Sequence, residues 1–296
     1  MFGTSVTFEG LIDDVVNRLQ GFGVNNDQFT TLESDLSPTD LTVKVTDPGR
    51  ISQGIIEVGT ELMQVNSASD TTATIPPWGR GAKGTIAEAH TAGERVAMRP
   101  TYPRAVVGRL INETLSAVYP VLYAVKQTEI TANGVQWQFA LPADCQRVLR
   151  VEESQPGNLG GWNIVEDWDV VHGANATDFP SGVVLSLKRT TFGTVRVWYS
   201  AAPVKFSALA DDWSVTGLPF SCMDVIVLGT AVKLLPWLDT GRLPVESVEA
   251  DALDNARQLG TAVSAAKSLK SDYADALARE ASVLATMYPI RARGVR

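Results

Sequence analysis

Near the start of the chain, apolar side chains recur at helical spacing. Phe8, Leu11, Ile12, Val15, Val16 and Leu19 fall at i, i+3, i+4, i+7, i+8 and i+11, one stripe of a helix over residues 7–20. Thr7 is placed to cap that helix, and Gly21 and Gly23 to stop it. From Leu41 to Met98 the period shortens to two. "LTVKV", "GIIEV", "ELMQV", "TATI" and "RVAM" are short β-favouring runs parted by turn signals such as Asp47-Pro48-Gly49 and Asn66-Ser67. They predict a small antiparallel sheet or barrel.

The helical period returns after "RPTYP". Pro103 suits a first helical position, and Val106, Val107, Leu110, Ile111, Thr114, Leu115, Val118 and Leu122 form the stripe, with Pro120 kinking or ending it. Residues 129 to about 201 alternate again: Val135, Trp137 and Phe139; Val183, Leu185 and Leu187; Val195, Val197 and Tyr199. Pro219 then opens a segment that is apolar nearly all round. After Gly241 and Pro244, residues 245–288 read as one helix, about 65 Å long at 1.5 Å per residue. Its expected stripe is Leu253, Ala256, Leu259, Val263, Ala266, Lys270, Tyr273, Leu277 and Leu284. Acids crowd its start and bases its later turns, as the helix dipole favours.

The expected fold class is α+β: a helical bundle with a long C-terminal helix and two inserted antiparallel β modules. The divisions are an N-terminal helix and linker (1–40), a small β module (41–100), a bundle helix (101–128), a β module (129–215), a helical hairpin (216–288) and a basic extended tail (289–296).

Composition narrows the class. A hydrophobic content of 45% with 20% charged residues is ordinary for a folded protein. The longest apolar run, Val225 to Leu235, is too short to span a bilayer, and no membrane partner is expected. No basic region followed by an apolar segment marks the N-terminus as a secretory signal, which leads to an expected start in a cytoplasm. A net charge of −8 argues against wrapping nucleic acid, since neutralising phosphates needs a basic face. An acidic wall past which DNA slides stays compatible. Cys145 and Cys222, far apart in sequence, read as structural thiols.

One stretch suggests catalysis. "WGRGAKGTIAEAH", residues 78–90, contains G-x-G-x-x-G at Gly79, Gly81 and Gly84. A dinucleotide fingerprint needs a buried strand before it and a long helix inside it, yet Pro76-Pro77 precede the glycines and Gly93 leaves room for two helical turns. Lys83 is followed by Gly84, where a phosphate loop needs serine or threonine. These are read as turn glycines, and no cofactor is expected. His90 and His172, the only histidines, lack a nucleophile elbow or a ligand neighbour at helical spacing. His90 is expected to bond a backbone group in its own loop. Glu166, Asp167 and Asp169 read as a solvated turn beside a buried Trp168. Trp137, Trp162 and Trp198 could be a sugar-stacking platform or core residues. No catalytic residue and no metal ligand is assigned.

The end of the chain carries the clearest contact chemistry: Arg291, Arg293 and Arg296 without an acid in "YPIRARGVR", suited to an acidic groove on a partner. With "GIIEVGTELMQVNS", "WGRGAKGTIAEAHTAGERVAMRPTYPRAVVGRLINETL", "FALPADCQRVLRV", "VRVWYSAAP" and "LPFSCMDVIVLGTAVKLLPWLDTGRL", this ending resembles proteins from the structural gene clusters of tailed bacteriophages, particularly those infecting actinobacteria. Chains of this size with a helical bundle and β insertions are similar to phage head-to-tail adaptors. That resemblance implies a virion structural protein, not an enzyme. It implies a homo-oligomeric ring, commonly a dodecamer, beneath the portal protein at the virion neck, assembled in the host cytoplasm. It further implies a downstream tail or neck protein as neighbour, DNA passing through the channel without sequence-specific binding, and Arg291, Arg293 and Arg296 at the portal. The alternative is a tail or baseplate component whose β module binds a partner protein or a host glycan. A cell-wall hydrolase is a third class, for which no acid–base constellation converges in the sequence.

Overall fold

The computed structural model describes residues 6–20, 28–154, 161–240 and 252–288. Among them are four α-helices and four antiparallel sheets, so the chain is mixed α and β. Two compact units divide it. One comprises residues 9–113 and 227–270, the other residues 114–226 with the described parts of 1–8 and 271–296.

In the first unit, α1 (Phe8–Gln20) buries Leu11, Ile12, Val15 and Leu19 completely, the stripe its spacing predicts. The β-structure is two sheets where one was expected. Strands β1 (Gln28–Thr31), β2 (Thr42–Lys44), β3 (Gly54–Val58), β4 (Glu61–Val65), β5 (Ser67–Ser69), β6 (Thr72–Thr74) and β7 (Arg95–Met98) sort into the orders β1-β7-β3-β4 and β2-β6-β5. The division expected at residue 40 moves towards the N-terminus, because β1 pairs with β7 and Leu32 and Leu36 bridge to Val45 and His90. Val43, Val45, Ile56, Val58, Met63, Val65, Ile75 and Val96 meet in one apolar core. Helix α2 (Arg104–Ala117) follows, with Val107, Ile111 and Leu115 fully buried. It ends at Ala117, just ahead of Pro120, the residue expected to kink or end it.

The second unit begins its β-structure ahead of the expected residue 129. Strand β8 (Ala124–Asn133) joins β9 (Gln138–Ala140), β10 (Arg147–Ser154), β11 (Trp162–Val165), β12 (Trp168–His172), β13 (Val183–Leu187) and β14 (Phe192–Ala201) in two further sheets, β11-β10-β14-β8 and β12-β13-β9. Phe139, Leu141, Val151, Val165, Leu185, Leu187, Val195, Val197 and Tyr199 form the core between alternating outward residues. Phe8 stacks on Phe206 at 4.5 Å between ring centroids, and Phe206 tilts against Trp213 at 6.3 Å.

Helix α3 (Met223–Thr240) has Val225, Ile226, Leu228, Ala231 and Leu234 buried, as its all-round apolar sequence requires. Helix α4 is described over Ala252–Met287, with side chains from Ala266 onward. Its buried row there is Leu269, Ala276, Glu280 and Leu284. Lys270, expected in the stripe, is exposed, and Leu269 takes the inward position: leucine loses nothing by leaving water, whereas an ammonium group loses its hydration.

Candidate functional site

The glycine-rich stretch folds around a carboxylate from its own chain. Glu61 opens β4 with its side chain fully buried. Its Oε1 accepts from Arg80 Nε at 2.7 Å and from the Gly81 amide at 2.9 Å. Its Oε2 accepts from an Arg80 terminal nitrogen at 2.9 Å and the Glu88 amide at 3.0 Å, and lies 3.0 Å from His90 Nε2. The rest of the Arg80 fork donates to the carbonyls of Ser37, Asp40 and Glu88 at 2.6, 2.9 and 2.8 Å. Burial alone would raise the Glu61 pKa. The Arg80 guanidinium, the amides of Glu88 and Gly81, and His90 together bring it down to about 2. The backbone amides that a phosphate loop turns towards a ligand here turn towards Glu61.

The glycines serve that wrapping. The Gly79 carbonyl accepts the Gln64 amide at 2.8 Å, and a Cβ on Gly79 would stand 2.8 Å from the Gln64 carbonyl oxygen. Gly81 has φ +60° and Gly84 has φ +84°, the left-handed region that glycine enters without strain. Thr85 Oγ1 accepts the Leu62 amide at 3.0 Å. The loop therefore satisfies the open edge of β4, and no helix of the dinucleotide type starts in it. His90 departs from expectation. Its ring lies between two carboxylates, with Nδ1 3.0 Å from Glu94 Oε2, and its main chain, not its ring, pairs with Leu36. Trp78 and Ile86, each 74% exposed, stand on this fixed loop.

A second buried acid, Glu57 of β3, sits at the N-terminus of α2, where its carboxylate accepts the Arg104 amide at 2.5 Å. Burial pushes its pKa up to about 7, against the pull of the Arg104 amide and charge, the Ala105 amide and Arg95. The Arg104 guanidinium is itself held by Asp13 at 2.5 Å and Glu9 at 3.2 Å. Sequence reading passed over Glu57 and Glu61. The signal was an acid within each of two apolar strands, "GIIEV" and "ELMQV".

The remaining candidates disperse. Glu166 and Asp167 are exposed, Asp169 lies within β12 opposite Ser186, and His172 is exposed at the end of that strand. Trp168, expected to be buried, is half-buried, with its indole nitrogen shut away from water. The tryptophans do not form one platform. Trp137 is 52% exposed beside β9, whereas Trp162 and Trp198 belong to the other sheet. The Arg196 guanidinium covers the Trp162 ring at 3.7 Å, and Trp198 Nε1 donates to Glu152 at 3.2 Å. Both cysteines are free and buried, and burial, with Asp144 beside Cys145 and Glu280 near Cys222, pushes both thiols up to about 11. Such thiols are poor nucleophiles at neutral pH. Arg291, Arg293 and Arg296 lie outside the described residues.

Among the described residues no group of three or more His, Cys, Asp or Glu side chains could hold a metal ion, and no helix is long and apolar enough to cross a membrane. No family model matches the chain, and no curated protein matches it.

Proposed function

We propose that the chain is a virion structural protein of a tailed bacteriophage, a head-to-tail adaptor that forms a ring below the portal and a channel for DNA. The fold class that goes with this role is a helical bundle carrying the two β regions as modules. Closed cyclic assembly turns one heterologous interface into a rigid channel. The dodecameric count, the downstream tail or neck neighbour and the portal contact of Arg291, Arg293 and Arg296 follow from the resemblance. The net charge of −8 suits a bore through which DNA must slide.

The observation that carries the reading is the Glu61 loop. A segment with the outline of a ligand cradle uses its amides and its arginine to saturate a buried carboxylate, and it presents Trp78 outward on a rigid base. Exposed aromatics on preorganised loops suit contact with another protein, because little conformational freedom is lost on binding. Deleting the gene from the phage genome tests the role. DNA-filled heads and unattached tails are the expected products, and complete infectious particles lacking the chain would refute it.

A tail or baseplate component is the second reading, and the exposed Trp137 favours it. Glycan-array binding by the purified chain, lost in Trp137→Ala, would move the assignment there. The covering of Trp162 by Arg196 weighs against a flat row of sugar-stacking rings.

A further inference from the structure

Strand β8 has an open side. Its ten residues pair with β14 from Ala124–Ala201 to Asn133–Phe192 without a bulge. Main-chain directions along β14 follow from two contacts: the Thr194 amide donates to Ser154 Oγ at 3.0 Å, and the Ser200 carbonyl accepts from Gln146 at 3.0 Å. Both point towards β10, so Val195, Val197 and Tyr199 point towards β8 and bond Ile130, Thr128 and Lys126. The amides and carbonyls of Val125, Gln127, Glu129, Thr131 and Asn133 therefore point away from the sheet. Among the described residues those groups have no hydrogen-bond partner.

Natural edges are blunted by proline, by bulges or by free charges. This one has none of the three. Lys126 is tied to Asp144 at 2.8 Å, and Glu129 to Arg196 at 2.8 Å. The open edge of β4, by contrast, is sealed by the glycine loop.

We propose that two copies of this chain pair through β8, antiparallel, about a two-fold axis at Thr128. Main-chain groups that point outward must meet their like, and a slip by one residue would turn the apolar face outward. The permitted registers therefore differ by two positions. With Thr128 opposite its own copy, Gln127 faces Glu129, Val125 faces Thr131, Lys126 faces Ile130 and Ala124 faces Ala132. No like charges oppose each other, and the Gln127 amide can donate to the facing carboxylate. Moving the axis to Glu129 sets two carboxylates directly opposite. Moving it to Gln127 leaves the far end of the strand unpaired.

The ends of the strand fit the same arrangement. Exposed Val121 lies just before β8, and Val135 and Phe192, 77% and 74% exposed, stand just beyond its other end. The antiparallel sense sets the first beside the other two across the joint. That tip is rigid: Asn133 Oδ1 accepts the amides of Val135 and Gln136, both at 3.0 Å, and the Phe192 ring lies against Gly134, where a Cβ would stand 2.4 Å from it. The pairing belongs to the free chain and does not rest on the adaptor reading: a ring that is polar from portal to tail has no two-fold axis, so this joint would have to open on ring assembly.

Thr128 and its copy form a non-hydrogen-bonded pair, with Cα atoms about 4.5 Å apart, within disulfide range. The full chain carrying Thr128→Cys is oxidised mildly and run without reductant. A band at twice the chain mass is expected, with none from the wild type, whose cysteines are buried, and little from Gln127→Cys. In sedimentation equilibrium the wild type should approach a dimer, and Thr131→Pro, which removes only an outward amide, should weaken association by at least about tenfold. A wild type that stays monomeric to ~100 µM, open-ended larger oligomers, or preferred cross-linking at Gln127→Cys would each overturn the pairing.

Discussion

Two buried glutamates four residues apart have opposite electrostatic fates, and each leaves a signature in stability. Glu61, held at about 2, is favoured as an anion in the folded chain. Its contribution is complete above the ordinary carboxyl value near 4.5 and is lost as pH falls towards 2. Glu61→Gln would turn an amide group towards the donors of Arg80, Gly81 and Glu88. Thermal and urea unfolding should show a loss of about 3–5 kcal/mol, the cost of breaking a buried pair by removing one partner. Glu57 works the other way. Its folded value of about 7 lies above the unfolded one, so its contribution is complete below pH 4.5 and is lost as pH rises through 7. Glu57→Gln keeps an acceptor for the Arg104 amide without the buried charge. The variant should be more stable than wild type at pH 8, by on the order of 3 kcal/mol, and nearly equal to it at pH 5. Equal urea midpoints at both pH values would show that Glu57 titrates normally. The sequence carries both acids as charges inside apolar strands, a signal that a reading by periodicity passes over, and it holds no sign of their partners. Arg80 and His90 come 19 and 29 residues after Glu61, and only the return of the loop across β4 joins them.

Elements with a strong period were legible, and their edges were not. Apolar spacing gave α1 and α2 their buried rows, because helical packing reads one side of a cylinder. Strand β1, four residues of "QFTT", has too short a pattern to announce itself, and its pairing with β7 makes it a strand. In α4 the buried row follows Leu269, Ala276, Glu280 and Leu284, so Leu284 keeps its expected place while Leu269 replaces Lys270. The glycine stretch is the most instructive element, since its outline suggested a nucleotide loop while its flanking prolines argued for a turn. Its use as an edge seal explains why Gly79 has no room for a side chain. Gly79→Ala would push a methyl to 2.8 Å from the Gln64 carbonyl oxygen and part the loop from β4. Hydrogen exchange at Leu62 and Gln64 should quicken by tenfold or more, for a local cost of about 1–3 kcal/mol. Unchanged exchange there would mean that the loop does not seal the edge.

At the scale of the whole molecule, two units each supply sheets with rigid, aromatic-bearing tips, Trp78 in one and Trp137 with Phe192 in the other. Buried charge in the first unit fixes loops and a helix start, and the thiols of the second are buried. Exposed aromatics on fixed tips suit contact with other proteins, and the proposed setting is the virion neck. The most direct measurement is a symmetry-averaged electron cryomicroscopy map of the neck at side-chain resolution. It should contain a closed ring of this chain between portal and tail, with Arg291, Arg293 and Arg296 against carboxylates of the portal. A neck fully accounted for by other proteins, or this chain found only at the baseplate, would contradict the account.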